Sequence, residues 1–345
     1  MKKWLVLVLV VMMLLPASAA SAASATSTKP TNEPIELIFV GDILLDGYVG
    51  NQIERYGNLF PFKKVAPTLK QADLAFANLE TPVSIRGKKE DKTFAFRSKP
   101  DTLKGLVYAG IDGVTLANNH ILDYGPQAMM DTMIHLRRQK IGHTGAGSNI
   151  NEAFKPYVKT VKGKKVAVLG VSRVVPHNSW IAGKNNPGVA GAYAMEPMLT
   201  HIKKSAKDND VTIVYIHWNQ EFADYPEDYA RKMAKQMIDA GADIIIGSHS
   251  HTLMGIEYYK GKPIYYSLGN FVFNRSTRGG DKTLLSMMVH FDIQGSKITS
   301  RVTPVKIIQG QPTLMDSKYN NNLIAKLNKL SYNAKIDSKG NVKPK

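Results

Sequence analysis

The sequence predicts an α/β domain, and three observations carry that prediction. Short apolar runs alternate with amphipathic stretches from about residue 35 to residue 273, the pattern of strands joined by helices. Those runs end, one after another, in a carboxylate, an amide or an imidazole, and in open α/β sheets ligands bind beyond the carboxyl ends of the strands. No cysteine occurs in the 345 residues. Disulfides and thiolate ligands are therefore excluded, and stability has to come from a large core.

The chain opens with Lys2-Lys3 and an unbroken apolar run from Trp4 to Leu15, then Pro16 and an Ala/Ser tract. That is the order of a secretory signal, expected over residues 1–25, and the run is well short of the ~20 residues a spanning helix needs. The alternative is an uncleaved anchor whose span the Ala/Ser tract extends. Either way the protein is expected to be exported, outside the cell or on the outer face of its membrane. Residues 26–34 read as a flexible linker, 35–310 as one domain, and 311–345 as a basic C-terminal tail.

Strands are expected at Ile35–Val40, Asp73–Ala77, Gly113–Ala117, Val166–Val171, Val211–Ile216, Asp243–Ile246 and Ile264–Ser267. Helices are expected at Gln127–Gln139 and Pro226–Ala240. In the second, Tyr229, Met233 and Met237 recur at i, i+4 and i+8, Pro226 suits the first turn, and Gly241 ends it. Met129, Met130 and Met133 are expected in the core. Beyond Phe273, Leu284–Ile293 and Ile298–Val305 read as two strands that meet at Gln294-Gly295 and complete a sheet. Leu323–Leu330 reads as a short helix, and the last fifteen residues as disordered.

The formal charge is +17. For an exported protein the matching polyanions are wall polymers, acidic lipid headgroups or an acidic capsule rather than nucleic acid. The same lysines, spread widely, would also serve solubility alone.

The chemistry-bearing positions follow strand ends. Asp42 follows Ile-Phe-Val-Gly; Asn78 and Glu80 end Leu-Ala-Phe-Ala-Asn-Leu-Glu; Asn118, Asn119 and His120 follow Val-Thr-Leu-Ala. His217 follows Ile-Val-Tyr-Ile, and His249 and His251 follow Ile-Ile-Ile-Gly-Ser. Imidazoles at i and i+2 of an extended segment point the same way and reach one centre. Any one of these residues has a plain explanation as a cap, a turn or a core histidine; five such strand ends together do not. Histidine, carboxylate and Asn without sulfur suit Mn, Fe, Zn or Mg. Two adjacent divalent ions need a bridging carboxylate, and Glu80 is the natural choice. His120, one position after Asn119, suits a general acid. Arg97, Arg275 and Arg278 are candidates for meeting an anionic substrate, Arg97 on a long segment between the Glu80 and Asn119 blocks that reads as a lid. Asp123 and Glu221 are candidates for orienting a histidine.

These blocks resemble the calcineurin-like metallophosphoesterase superfamily, and within it the CapA/PgsA family of poly-γ-glutamate capsule synthesis proteins. The resemblance is carried by Phe39-Val-Gly-Asp-Ile-Leu-Leu-Asp46, Ala77-Asn-Leu-Glu-Thr-Pro82, Ala117-Asn-Asn-His-Ile-Leu-Asp-Tyr-Gly125 and Gly145-Ala-Gly147. It continues in Ile216-His-Trp-Asn-Gln-Glu221, Gly241-Ala-Asp-Ile-Ile-Ile-Gly-Ser-His-Ser-His251 and Lys262-Pro-Ile-Tyr-Tyr-Ser-Leu-Gly-Asn-Phe-Val-Phe273, in order over roughly residues 35–305. It implies a metallophosphatase-like four-layer α/β/β/α sandwich of two mixed sheets. It implies one ion on Asp42, Glu80 and His251, a second on Glu80, Asn119, His217 and His249, and His120 as proton donor. It further implies work on an acidic polymer alongside membrane-bound poly-γ-glutamate synthase subunits. The superfamily's usual Asp-x-His opening is Asp42-Ile-Leu44 here, so one ligand is absent, a departure shared with the capsule branch. Asn219 and Ser250 replace the branch's frequent Gly and Pro without removing a ligand. Two functions are therefore expected to compete: an accessory capsule-synthesis protein, and a secreted metal-dependent phosphoesterase acting on a wall or other extracellular phosphoester.

Overall fold

The computed structural model describes Met1 and residues 33–345. The expected signal segment after Met1, and the linker up to residue 32, lie outside the described residues. Among the described residues, no helix is long and apolar enough to cross a membrane.

The chain enters on β1 (Ile35–Ile43), buried throughout except at Glu36. After α1 (Gly47–Tyr56) and α2 (Ala66–Leu69) comes β2 (Leu74–Leu79), and α3 (Leu103–Ala109) leads into β3 (Gly113–Thr115). Helix α4 (Gly125–Arg138) then leads into β4 (Gly142–Thr144). β1 to β4 run parallel, an arrangement that helical crossover connections allow. Next come β5 (Ala146–Gly147), α5 (Ile150–Ala153), β6 (Tyr157–Val161), β7 (Lys164–Ser172) and β8 (Gly188–Val189). The chain continues through α6 (Met198–Asp208), β9 (Val211–His217), α7 (Asp228–Asp239), β10 (Ile244–Ser248), β11 (Ile256–Tyr259) and β12 (Lys262–Tyr265). It closes with β13 (Asn270–Val272), β14 (Leu285–Gln294), β15 (Lys297–Ile308), β16 (Gln311–Leu314), α8 (Ser317–Leu330), β17 (Ala334–Ile336) and β18 (Asn341–Pro344).

Two mixed sheets result. The larger has the order β17-β18-β15-β14-β1-β2-β3-β4, with β13 beside the end of β1 and β16 beside β15. The second has the order β11-β12-β10-β9-β7-β6. Strand alternation sorts their side chains into three cores. Leu37 and Phe39 of β1 and Phe76 of β2 face Val168, Ile213, Tyr215 and Ile246 of the second sheet. Ile38, Val40 and Val114 face Leu106 of α3 and Met129 and Met133 of α4. Val214 and Ile245 face Ile202 of α6 and Met233 and Met237 of α7. Helix, sheet, sheet, helix: the fold is the four-layer α/β/β/α sandwich. The sheets are joined by more than contact, because the Tyr215 hydroxyl donates to the Val40 carbonyl at 2.6 Å.

Two expectations change. Helix α7 starts at Asp228 with Glu227 as its cap, so Pro226 lies just before the helix. The tail is folded to its end rather than disordered. Asp316 caps α8 by accepting from the Tyr319 amide at 2.8 Å, Leu323, Ile324 and Leu327 bury one face against the inter-sheet core, and Leu330 is buried at the helix end. β17 and β18 then extend the large sheet beyond β15. The physical reason is that four apolar side chains on one stripe anchor a helix even when every intervening residue is Lys, Asn or Ala.

Candidate metal centre

Five strand ends, three from the large sheet and two from the second, converge at one edge of the sandwich. Gly41 permits the first approach: a Cβ there would sit 1.8 Å from the Gly269 carbonyl oxygen. With no side chain in the way, the Asp42 amide donates to that carbonyl at 3.1 Å, and Asp42 comes into register with Asn270 of β13. On β2, the Glu80 amide donates to Ile43 at 2.8 Å and fixes the carboxylate beside β1. His217 is the last residue of β9.

The His-x-His pair reaches the centre by a route the extended-strand reading did not foresee. β10 ends at Ser248, and His249 and His251 both take left-handed backbone, at φ 89° and 57°. Non-glycine residues adopt that region rarely and at a cost, which a surrounding structure has to over-determine. Part of the support is the Asp42 carboxylate, which accepts from the His249 amide at 3.3 Å. Part is the Phe222 amide, which donates to the Ser250 carbonyl at 2.8 Å.

Inside the site the distances are short. Glu80 Oε1 lies 3.7 Å from His217 Nε2, 3.9 Å from His251 Nε2 and 4.0 Å from His120 Nε2. His251 Nδ1 lies 3.7 Å from Asp42 Oδ2. Two groups have ligand atoms within 4.8 Å of one another: Glu80, His217 and His249, and Asp42, Glu80 and His251. Glu80 belongs to both. Asn119 Oδ1 and His217 Nε2 are 2.9 Å apart. His120 Nδ1 is 2.7 Å from Asp123 Oδ2, which turns its Nε2 toward Glu80.

Burial decides the electrostatics. It pushes Glu80 well above the usual carboxylate range, with the Asp42 charge adding to the rise, and it raises Asp42 against the pull of His251. It drives His217 and His249 well below the usual imidazole range, helped by the neighbouring histidines. His120 is lowered by burial, with Asp123 pulling the other way. Neutral imidazoles are the form that binds metal. Glu80 Oε1 and His249 Nδ1 are buried with no hydrogen-bond partner among the described residues. Orphaned buried acceptors on the two groups of a shared cluster are what a divalent cation would satisfy, so the residues present fit metal ions.

The other expected residues divide. Arg275 and Arg278 line the mouth of the site, together with His120 and His251. Arg97 does not: it lines a separate cavity beyond Asp46, where it lies over the Tyr124 ring at 4.1 Å. The 81–99 segment is strapped down rather than free as a lid. Val83 donates to Thr132 Oγ1 at 2.7 Å, Ser84 donates to Asp131 at 2.6 Å, and Lys92 donates to Asp123 at 2.6 Å. Glu221 accepts from Arg278 at 3.1 Å instead of holding a histidine.

Asn78 and Asn118 were among the strand-end candidates, but the roles of Asn78, Asn270, Ser248 and Lys92 escaped the sequence reading. Asn78 donates to Asp42 at 2.8 Å and accepts from Asn118 at 2.9 Å, tying three strand ends together. Asn270 Oδ1 meets His251 Nδ1 at 2.8 Å and Ser248 Oγ meets His217 Nδ1 at 2.9 Å, each orienting a ring. Lys92 also donates to the Asn119 carbonyl at 2.8 Å. A glycine followed by a polar residue at a strand end, as in Gly269-Asn270, was the available signal. Nothing local distinguishes Lys92.

Comparison with known proteins gives consistent matches. A family model described as bacterial capsule synthesis protein PGA_cap matches residues 36–275. The chain is 35% identical over 305 residues to the capsule biosynthesis protein CapA of Bacillus anthracis, covering 85% of this chain and 72% of that one. It is 36% identical over 289 residues to the PGA biosynthesis protein CapA of Bacillus subtilis, covering 82% and 74%. A probable polyglutamine synthesis accessory protein of Mycobacterium tuberculosis is 32% identical over 254 residues, covering 68% and 66%.

Proposed function

The chain belongs to the bacterial capsule synthesis protein family, and from that premise we propose that it serves poly-γ-glutamate capsule synthesis as an exported protein with a working metal centre. It acts on the outer face of the membrane beside the synthase subunits, and its centre handles an anionic intermediate or the acidic polymer. The observation that carries the metal reading is the orphaned Oε1 of Glu80, buried between two groups of potential ligands that share it.

Two ions are proposed, one on Asp42, Glu80 and His251, the other on Glu80, Asn119, His217 and His249. Bound divalent ions would supply Lewis acidity and a water of lowered pKa at this position. The chain's own residues do the rest. Asn78, Asn270 and Ser248 hold Asp42, His251 and His217 in place. Asp123 holds His120 with Nε2 facing the centre, where it can give a proton to a leaving oxygen.

That last contact favours a second reading, a secreted metal-dependent phosphoesterase, because a scaffold that only binds polymer does not need an oriented proton donor. The two readings separate on one experiment: metal content of the purified protein, with hydrolysis of an aryl phosphomonoester and phosphodiester. The expected result is bound metal that Glu80→Gln abolishes, and turnover that His120→Ala removes while metal stays. Metal without turnover would leave capsule synthesis through binding alone. A metal-free protein under saturating Mn or Zn would overturn the ligand assignment.

A further inference from the structure

The mouth of the centre has walls unlike its floor. His120, His251 and Asn270 form the inner end of a cavity of about 290 Å³, and four phenylalanines line its sides alongside the carboxylates of Asp46 and Glu221. Phe96 lies against His120 with ring centroids 4.9 Å apart, and Phe94 follows it outward at 6.5 Å. Across the opening, Phe273 lies 5.0 Å and Phe222 6.0 Å from the His251 ring. Leu44 and Val49 continue the apolar lining. Arg275 and Arg278 stand on the outer rim, each spending part of its five donors on one acid, Asp281 and Glu221 respectively.

A site built only for a polyanionic chain has no use for this arrangement. Beyond the two rim arginines, carboxylates drawn along four phenylalanines would lose water without a partner, whereas an apolar group laid there loses only unfavourable hydration. The volume is at the low end for ligand pockets, room for a compact terminal group and not for several repeats of a polymer. Phe94 is 56% exposed, so its ring is open to a ligand at the mouth of the cavity.

We propose that this cavity takes a phosphate ester of an apolar alcohol, with the phosphate at the His120–His251 end and the alkyl, prenyl or aryl body against Phe94, Phe96, Phe222 and Phe273. The inference rests on the metal-centre reading and narrows it: the group handled is an amphiphilic phosphorylated intermediate, not the acidic polymer.

The test is calorimetric titration of the full chain, loaded with Mn, with hexylphosphonate and with methylphosphonate. These probes share the head and differ only in the apolar body. Hexylphosphonate is expected to bind at least tenfold tighter. The double variant Phe96→Ala/Phe273→Ala should bring the two probes within threefold, and Phe96→Leu/Phe273→Leu, which restores apolar area, should recover most of the preference. His249→Ala should weaken both probes alike and keep their ratio. Equal binding of the two probes by the parent protein, or a preference that survives the double alanine variant, would overturn the proposal while leaving the metal reading intact. Absence of bound Mn, or binding that ignores His249→Ala, would overturn the metal reading itself.

Discussion

At the scale of single residues, the centre is an arrangement of groups that cost stability unless something joins them. Lys92 shows how closely this is managed. Its side chain is 18% exposed and meets the fully buried Asp123 carboxylate, which in turn meets His120. Lys92→Met should leave the metal content and KM near parent values and lower kcat toward the aryl phosphoester roughly 10–100-fold, the usual cost of losing an orienting partner. A kcat unchanged by the substitution would mean that Asp123 holds the ring unaided. The residues that meet at the centre were legible at this scale, because a carboxylate or imidazole that ends a buried apolar run has few other reasons to be there. The partners were not: Asn78, Asn270 and Ser248 carry no sign of their targets, which lie 36 and 40 residues away in the chain for Asn78 and 31 for Ser248.

At the scale of elements, what matters is how closely one strand end approaches another. The β1–β13 junction leaves no room for a side chain at residue 41. Gly41→Ala is therefore expected to destabilise the protein by about 3 kcal/mol or more, since the obstacle is backbone and cannot rotate away. Urea denaturation measures this, and the same variant should bind less metal because Asp42 moves with the strand. A loss under 1 kcal/mol would show that the junction yields. A second element-scale prediction concerns β14. His290 on that strand is pushed down to about 4, by burial first and then by Arg301, and its Nε2 lies 3.0 Å from Thr303 Oγ1. It is neutral in the fold, while the unfolded chain takes up its proton near 6.5. Between about pH 6.5 and 4 the unfolded state thus binds more protons, so stability falls as the pH falls through that window and is unaffected above it. The loss is on the order of 2–3 kcal/mol. His290→Gln should shrink the difference in urea stability between pH 7 and pH 5. An unaltered pH slope would assign the acid sensitivity elsewhere.

At the scale of the whole molecule, the C-terminal segment is part of the sandwich. The Tyr332 amide donates to the Ile256 carbonyl at 3.1 Å and Asn333 donates to the Tyr258 carbonyl at 2.8 Å, so the segment also completes the edge of the second sheet at β11. Deleting residues 317–345 would uncover the inter-sheet core where Leu323, Leu327, Ile336 and Val342 cover it. The truncated protein is expected to bind an apolar dye and to elute as aggregate, instead of behaving as a shorter parent. A monomer with the parent melting temperature would show that α8, β17 and β18 are dispensable. Composition concealed this, since seven lysines in those residues outweigh a sparse apolar stripe in any average.

The sequence alone determined the long central strands, the α/β class and the residue types at the strand ends. Each of these is written in local periodicity, burial runs and the residue that stops them. The short strands such as β4, β13, β17 and β18 were not legible in the sequence. Tertiary structure decided what depends on the approach of distant segments. It brought Glu80 between two groups of potential ligands, and it bent His249 and His251 into the centre through left-handed backbone. It set Arg275 and Arg278 at the mouth and Arg97 in another cavity, and it folded the lysine-rich tail onto the core. Local sequence fixes backbone preference over a few residues, but which side chains share a cavity follows from how two sheets pack, and that is settled by the whole chain at once.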